Sequence, residues 1–219
     1  SGGADSSAAL AVMPGHTKPL FMERPDRKNS LYDKTAALKS CSKLKALGYD
    51  VFTIECDVEY LRHPIGFPTD LANAIPAILM AGHLNLDSIS YGTVLESSYG
   101  AGHDKYRDYP TLSHWRLWSR VFTGAGIPMS LPVGGVSEVG TKLILDKSFF
   151  EYLSQSCIRG KWKKPCLNCW KCFRKELLTF GMEGVYDDNK IENLFRIKEA
   201  RIFLSQIPIK HENVIAYSV

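Results

Sequence analysis

The 219-residue chain has no apolar run near the ~20 residues that a membrane-spanning helix needs. Its best stretch, residues 72–86, is interrupted by Pro76, His83 and Asn85, so no span is predicted and no membrane partner is expected. Nothing has the layout of a secretory signal. There is no internal repeat and no low-complexity tract, which excludes solenoid and fibrous classes. Charge of one sign is also scarce: the net charge of +4 permits phosphate contacts but does not itself point to nucleic acid. With 45% apolar and 23% charged residues, the composition is that of an ordinary globular chain rather than a disordered one. Six cysteines in 219 residues are too few for a disulfide framework and suit a reducing, cytoplasmic setting. An initiator Met is missing as well. The chain opens inside a motif that ordinarily follows a strand, so a first strand is expected upstream.

What is present is concentrated near the two ends. Ser1-Gly2-Gly3-Ala4-Asp5-Ser6-Ser7 reads as a glycine-rich loop entering a helix. Glycines let successive backbone N–H groups converge on one anion, and a helix start adds its dipole. Asp5 would repel a phosphate unless a cation stood between them, so it is the natural Mg²⁺ ligand. The hydroxyls of Ser1, Ser6 and Ser7 can serve phosphate oxygens. Near the other end, Cys157-x8-Cys166-x2-Cys169-x2-Cys172 supplies four soft ligands at the spacing of a closed structural Zn²⁺ site. An iron–sulfur cluster competes for the same spacing. The remote fourth cysteine and the basic surroundings favour zinc. Unligated thiols or two disulfides fit this spacing poorly, whereas Cys41 and Cys56 read as inert, buried thiols.

Between the ends, hydrophobic spacing predicts alternating strands and helices: a helix from Ser6, a strand over Pro19–Glu23 and a helix over Leu31–Leu47 stopped by Gly48. A strand over Tyr49–Glu55, a helix over Thr69–Leu84 and a strand over Ser88–Tyr91 follow. Beyond a Gly- and Tyr-rich loop, helices are expected over residues 114–122, 149–156, 170–180 and 191–206. Residues 124–140 read as Gly- and Pro-rich loop. This alternation predicts an α/β, Rossmann-like doubly wound parallel sheet of the adenine-nucleotide α-hydrolase type, with a small helical zinc-binding lobe at the C-terminal end. The expected division is a nucleotide-binding domain over 1–145 and a zinc lobe over 146–219. Gly135-Val136-Ser137-Glu138-Val139-Gly140-Thr141-Lys142 imitates a Walker phosphate loop, but its Thr and Lys are in reversed order and no strong strand precedes it. It reads as a loop into a new element, from which Lys142 can still reach a phosphate.

The opening motif resembles the pyrophosphatase loop, SGGxDS, of the adenine-nucleotide α-hydrolase superfamily, and the cysteine spacing resembles that of the 7-cyano-7-deazaguanine synthase family within it. Phe67-Pro68, the helix to Leu84, Asp87 and the strand to Gly92 also resemble that family, as does Gly140-Thr141-Lys142. The resemblance implies ATP-dependent adenylation of a carboxylate with pyrophosphate release, then displacement of AMP by ammonia to an amide, and a second ATP to reach a nitrile. It implies ATP, Mg²⁺ and Zn²⁺ as cofactors, a deazapurine carboxylate or related acid as small-molecule substrate, and a homo-oligomeric assembly. Carried onto this chain, Ser1, Gly2, Gly3, Asp5, Ser6, Ser7, Phe21, Met22 and Gly92 would bind nucleotide. Asp5, Ser6 and Lys142 would be catalytic, and Glu96, His103 and Tyr109 would face the acceptor.

The departures fall on substrate-side positions. Glu23-Arg24-Pro25 stands where Tyr-Gly-Gln is expected, Thr69-Asp70 replaces Arg-Asn, and Tyr-Pro-Asp-Cys survives only as Tyr109-Pro110-Thr111-Leu112. The resemblance therefore extends to activation chemistry and leaves the acceptor open. Other readings are a tRNA sulfur transferase sharing the loop, with Cys56 as its only placed thiol, a ligase attaching a deazaguanine-like group to a protein, and a non-catalytic zinc module that merely holds nucleotide. Among the histidines His16, His63, His83, His103 and His114, His103 is the best placed for proton transfer.

Overall fold

The structure is a computed structural model that describes residues 2–26, 33–61, 71–101 and 105–219. Helices dominate. The first, α1 (Ala4–Val12), starts immediately after Gly3, two residues earlier than its spacing predicts, and ends at Met13 before Pro14. Strand β1 (Leu20–Glu23), helix α2 (Thr35–Ala46) and strand β2 (Phe52–Glu55) follow, with β1 and β2 paired in parallel from Leu20–Phe52 to Glu23–Glu55. Gly48, at φ 88°, turns the chain out of α2. Helix α3 (Ile75–Leu84) leads to β3 (Ile89–Ser90), which pairs in parallel with the later β6 (Met129–Ser130). A small antiparallel pair, β4 (Gly100–Ala101) and β5 (Lys105–Tyr106), and helix α4 (Ser113–Gly124) lie between them. The remainder is helical: α5 (Glu138–Asp146), a 3-10 turn over Phe149–Leu153, α6 (Trp170–Glu183), α7 (Asp188–Phe195), α8 (Lys198–Leu204) and α9 (Glu212–Ser218).

The doubly wound parallel sheet expected from the alternation is not formed. Among the described residues each sheet has two strands, and β1–β2 and β3–β6 are not hydrogen-bonded to one another. Local chemistry explains the short strands. β6 is bracketed by Pro128 and Pro132, and proline cannot donate to a ladder. Tyr49–Val51, predicted as strand, remain outside β2, because the Tyr49 N–H closes onto the Leu44 carbonyl at the end of α2. The pairs therefore cover isolated patches, and side chains of the surrounding helices make the core.

That core has several centres. Ala4 and Ala8 of α1 share a cluster with Leu44, Val51, Leu145, Phe150 and Leu153, so α1 is clasped by α5 and the 3-10 turn, against which α2 also packs. Small residues on α1 permit this close approach. Ala74, Ala77, Ile89, Phe122 and Ile127 form a second centre around β3. In the C-terminal lobe Trp170, Phe173, Leu177 and Phe180 of α6 pack against Leu194, Ile197 and Ala200. The helix predicted over 191–206 is broken here: Ile197 turns inward, and the Arg196 carbonyl accepts from the Arg201 guanidinium at 3.1 Å. Helix α9 crosses α6 at Gly181, where an added Cβ would come within 2.7 Å of the Ser218 Cα. No helix of the described residues is long and apolar enough to cross a membrane.

Candidate anion loop and metal centre

Gly2 adopts φ 68°, a torsion that glycine reaches without strain, and Gly3 is the N-cap of α1 with no side-chain cap. The loop is held from outside. The Gln155 N–H donates to the Gly2 carbonyl at 2.9 Å, and the Ala4 N–H reaches Ser156 Oγ at 3.4 Å. Asp5 lies in the first turn, where a carboxylate complements the helix dipole. Its Oδ2 stands 3.9 Å from Lys171 Nζ, while Oδ1 is buried without a hydrogen-bond partner among the described residues. A buried carboxylate oxygen left unpartnered costs about 1–3 kcal/mol, which a bound cation would offset. Asp5 thus offers one oxygen donor that no hydrogen bond engages among the described residues.

Gly92 follows β3 and abuts the same turn. A Cβ there would meet the Ser6 Cα at 2.5 Å and the Ser6 N at 2.6 Å, so only glycine lets the two segments touch. Of the residues that the resemblance assigns to nucleotide, the fold brings Gly2, Gly3, Asp5, Ser6 and Gly92 together. Phe21 is buried in β1 and Met22 is half-buried beside it. Ser1 and His103 lie outside the described residues, as do His63, Phe67-Pro68 and Thr69-Asp70.

The remaining candidates are occupied elsewhere. Lys142, on α5, forms ion pairs with Asp146 and Glu151. The Walker-like segment is a helix start: Ser137 caps α5 by accepting from the Gly140 N–H. Glu96 also serves that start, its carboxylate accepting the Glu138 N–H at 3.1 Å and the Asn213 side-chain amide at 2.6 Å. Tyr109 is 2% exposed and wedged against Tyr99 and Trp115, with the Arg107 guanidinium over its ring. It is a packing residue of the segment entering α4. The charged Glu23-Arg24-Pro25 segment is tied down internally, Glu23 to Lys34 at 2.7 Å and Arg24 to Glu59 at 3.2 Å. His16 and His83 are exposed.

The four cysteines converge as their spacing predicts. Their sulfurs all lie within 4.8 Å of one another, and Cys166 Sγ and Cys172 Sγ are 3.7 Å apart. Zn–S bonds of about 2.3 Å in a tetrahedron place sulfurs about 3.8 Å apart, so the cage has the size for one ion. A cubane iron–sulfur cluster binds each thiolate to a different iron and requires a wider set. Backbone N–H groups of Cys166 and Cys172 point at Cys157 Sγ (3.3 Å) and Cys169 Sγ (3.5 Å). Four close cysteines can thus hold a metal ion such as zinc. The thiols are electrostatically unequal, Cys157 and Cys169 being lowered and Cys166 and Cys172 raised. A hydrogen bond from Cys172 brings the Cys169 thiol down to about 5, and the same contact, helped by burial, pushes Cys172 up. Burial pushes Cys157 up, but N–H groups of Cys166 and Arg159 outweigh it and leave that thiol lowered.

Gln155 organises the intervening loop. Its side-chain amide donates to the carbonyls of Gly160 (3.0 Å) and Lys161 (2.9 Å), and its Oε1 accepts the Lys163 N–H at 2.6 Å. Neither Gln155 nor the buried ionic cluster behind α6 is marked by any sequence motif. In that cluster Glu138, 3% exposed, meets Arg174 at 2.6 Å, Lys175 at 3.3 Å and His211 Nε2 at 3.8 Å. Burial pushes the Glu138 carboxyl up, but Lys175 and Arg174 bring it down to about 2. His211, which pattern reading passes over, also accepts from the Trp170 indole N–H at 3.4 Å through Nδ1.

Residues 117–219 match the model of a family of unknown function, DUF6395. The matched segment takes in the metal centre and the helical lobe and stops short of the glycine loop. No curated protein and no solved structure matches the chain.

Proposed function

We propose that the chain binds ATP at the Gly2–Ser7 loop and adenylates a carboxylate, releasing pyrophosphate. The observation that carries this reading is Asp5: a first-turn carboxylate behind two glycines, with one oxygen buried and without a hydrogen-bond partner among the described residues, and the other facing Lys171. The helix start and loop N–H groups would take up the charge of the departing pyrophosphate, and Lys171 would add a cation at the same place. Asp5 would hold a Mg²⁺ ion, which would supply charge neutralisation for the phosphates.

In the proposed step an acceptor carboxylate oxygen bonds to the α-phosphorus as the bond to the bridging oxygen of pyrophosphate breaks. Ammonia then attacks the acyl carbon, AMP leaves with the C–O bond pair, and the nitrogen loses a proton to give the amide. A second ATP can activate the amide oxygen and remove it with AMP, the nitrogen losing two protons to give a nitrile. The residues contribute chiefly position and field, so no side-chain nucleophile is required. The metal centre holds the loop from behind through Gln155 and Ser156, and its role is structural.

The test is pyrophosphate release from ATP, Mg²⁺ and ammonium with a panel of carboxylates that includes 7-carboxy-7-deazaguanine. Release that depends on a carboxylate and is lost in Asp5→Asn supports the reading. A folded, metal-loaded chain that fails to bind ATP overturns it. ATP binding with release from other acids but not the deazaguanine retains adenylation and reassigns the acceptor.

A further inference from the structure

A groove of about 410 Å³ opens beside the metal centre, between the loop around Ser156–Arg159, the first turn of α6 and the Lys210–His211 step into α9. Four cationic side chains line it, Arg159, Lys171, Arg174 and Lys210, against one carboxylate, Glu199. That carboxylate is already engaged: Oε2 accepts the Trp170 N–H at 2.9 Å and Oε1 pairs with Arg159 at 2.7 Å. Lys171 also faces Asp5 and Arg174 is paired with Glu138, so Lys210 is the lining cation that meets no carboxylate among the described residues.

Arg174 is the informative member. It is 4% exposed, and one terminal nitrogen bonds Glu138 at 2.6 Å. Its Nε is buried with no hydrogen-bond partner among the described residues, so no cysteine sulfur accepts from it either. No hydrogen bond to sulfur therefore accounts for this donor, although the guanidinium lies over the Trp170 ring, 5.4 Å from its centroid. A buried N–H of a charged group without an acceptor is costly, and an anion in the groove would remove that cost. Lys171 faces two ways, lining the groove while its Nζ stands 3.9 Å from Asp5 Oδ2. The groove is thus next to the glycine loop but built from different residues.

We propose that this groove is a second oxyanion site, which takes the carboxylate or phosphate group of the acceptor. That the anion belongs to the acceptor rests on the adenylation reading; that the groove binds an oxyanion does not. The experiment uses the full, metal-loaded chain labelled with ¹⁵N and titrated separately with inorganic phosphate and with benzoate. The Arg174 Nε–H and Trp170 indole resonances are followed. Saturable shifts of both with either probe are expected, and the responding probe tells phosphate from carboxylate. Lys210→Gln should weaken binding about tenfold, the loss of one charge-assisted contact. Absence of a saturable shift with both probes overturns the site. So does a response that is indifferent to Lys210→Gln, since the anion would then sit elsewhere. If phosphate or benzoate binds here while ATP binds nowhere, the oxyanion site stands and the adenylation reading fails.

Discussion

Lys171 Nζ lies 3.9 Å from Asp5 Oδ2, joining the first turn of α6 to the first turn of α1 across 166 residues of sequence. Lys171 lies between Cys169 and Cys172 of the four-cysteine cluster, which can hold a metal ion, so the cation that faces the loop is positioned by that cluster. The contact itself is partly exposed and weak as an ion pair. Its meaning is positional: two motifs at opposite ends of the chain are neighbours in space.

Metal removal should therefore be felt at the loop. The purified chain is expected to carry one zinc per molecule, and Co²⁺ substitution should give the intense visible bands of a tetrahedral tetrathiolate. Cys169→Ser should abolish stoichiometric metal and lower the melting temperature. It should also weaken ATP binding in calorimetry, because the segment that supplies the Gln155 N–H to Gly2 is anchored by Cys157. A variant that loses metal yet binds ATP as tightly as the parent would refute this coupling.

Asp5→Asn is expected to retain the fold and the metal while weakening Mg²⁺–ATP binding. One charge-assisted contact is worth about 1.5–3 kcal/mol, roughly a 10- to 150-fold change in Kd. Circular dichroism and metal content check the first half of the expectation and calorimetry the second. Unchanged affinity would remove Asp5 from the site.

At Gly92 the expectation concerns packing. Alanine there places its Cβ 2.5 Å from the Ser6 Cα, and backbone cannot yield as a flexible side chain would. Overpacking of this kind costs about 1–3 kcal/mol, and it should also displace the start of α1. Urea unfolding of Gly92→Ala measures the cost; an unshifted midpoint would show that the two segments separate easily.

Glu138 links the lobe to acid stability. Its carboxyl falls from an ordinary 4.5 to about 2, so it binds fewer protons folded than unfolded near pH 4. Stability from this group is fully present above pH 4.5 and is lost as pH falls toward 2. Glu138→Gln removes one partner from a buried pair and should cost about 3–5 kcal/mol at pH 7. Urea midpoints of parent and variant, taken from pH 7 downward, should converge below pH 4.5, and the subtraction cancels acid loss of metal common to both. A constant gap across that range would show that the ion pairs do not stabilise the lobe.

Much of the site's raw material was legible because it is local. The cysteine spacing alone specified a cage, and Gly2-Gly3-Ala4-Asp5 specified a loop running into a helix. Individual elements such as β1, α2 and α6 were legible from period and stop signals. Their assembly was not. Strands of two residues, β3 and β6, support only a patch of ladder, and the alternation of types says nothing about whether patches join. Helix α5 was hidden inside a Gly- and Pro-rich stretch that imitates a phosphate loop. Lys142 and Glu96, which the resemblance implicated in chemistry, lie on helix-start and ion-pair duties. Asn213, His211 and Arg174 become related to Glu138 and Glu96 only through the α6–α9 crossing, a long-range contact without a spacing rule.

The backbone of Gln155 holds Gly2, while its side chain holds the carbonyls and the N–H of the cysteine loop. One residue is thus a shared hinge pin for two motifs. Neither can be re-tuned by substitution without dragging the other, so a lineage that altered its cysteine loop would be forced to re-fit its glycine loop in the same stroke.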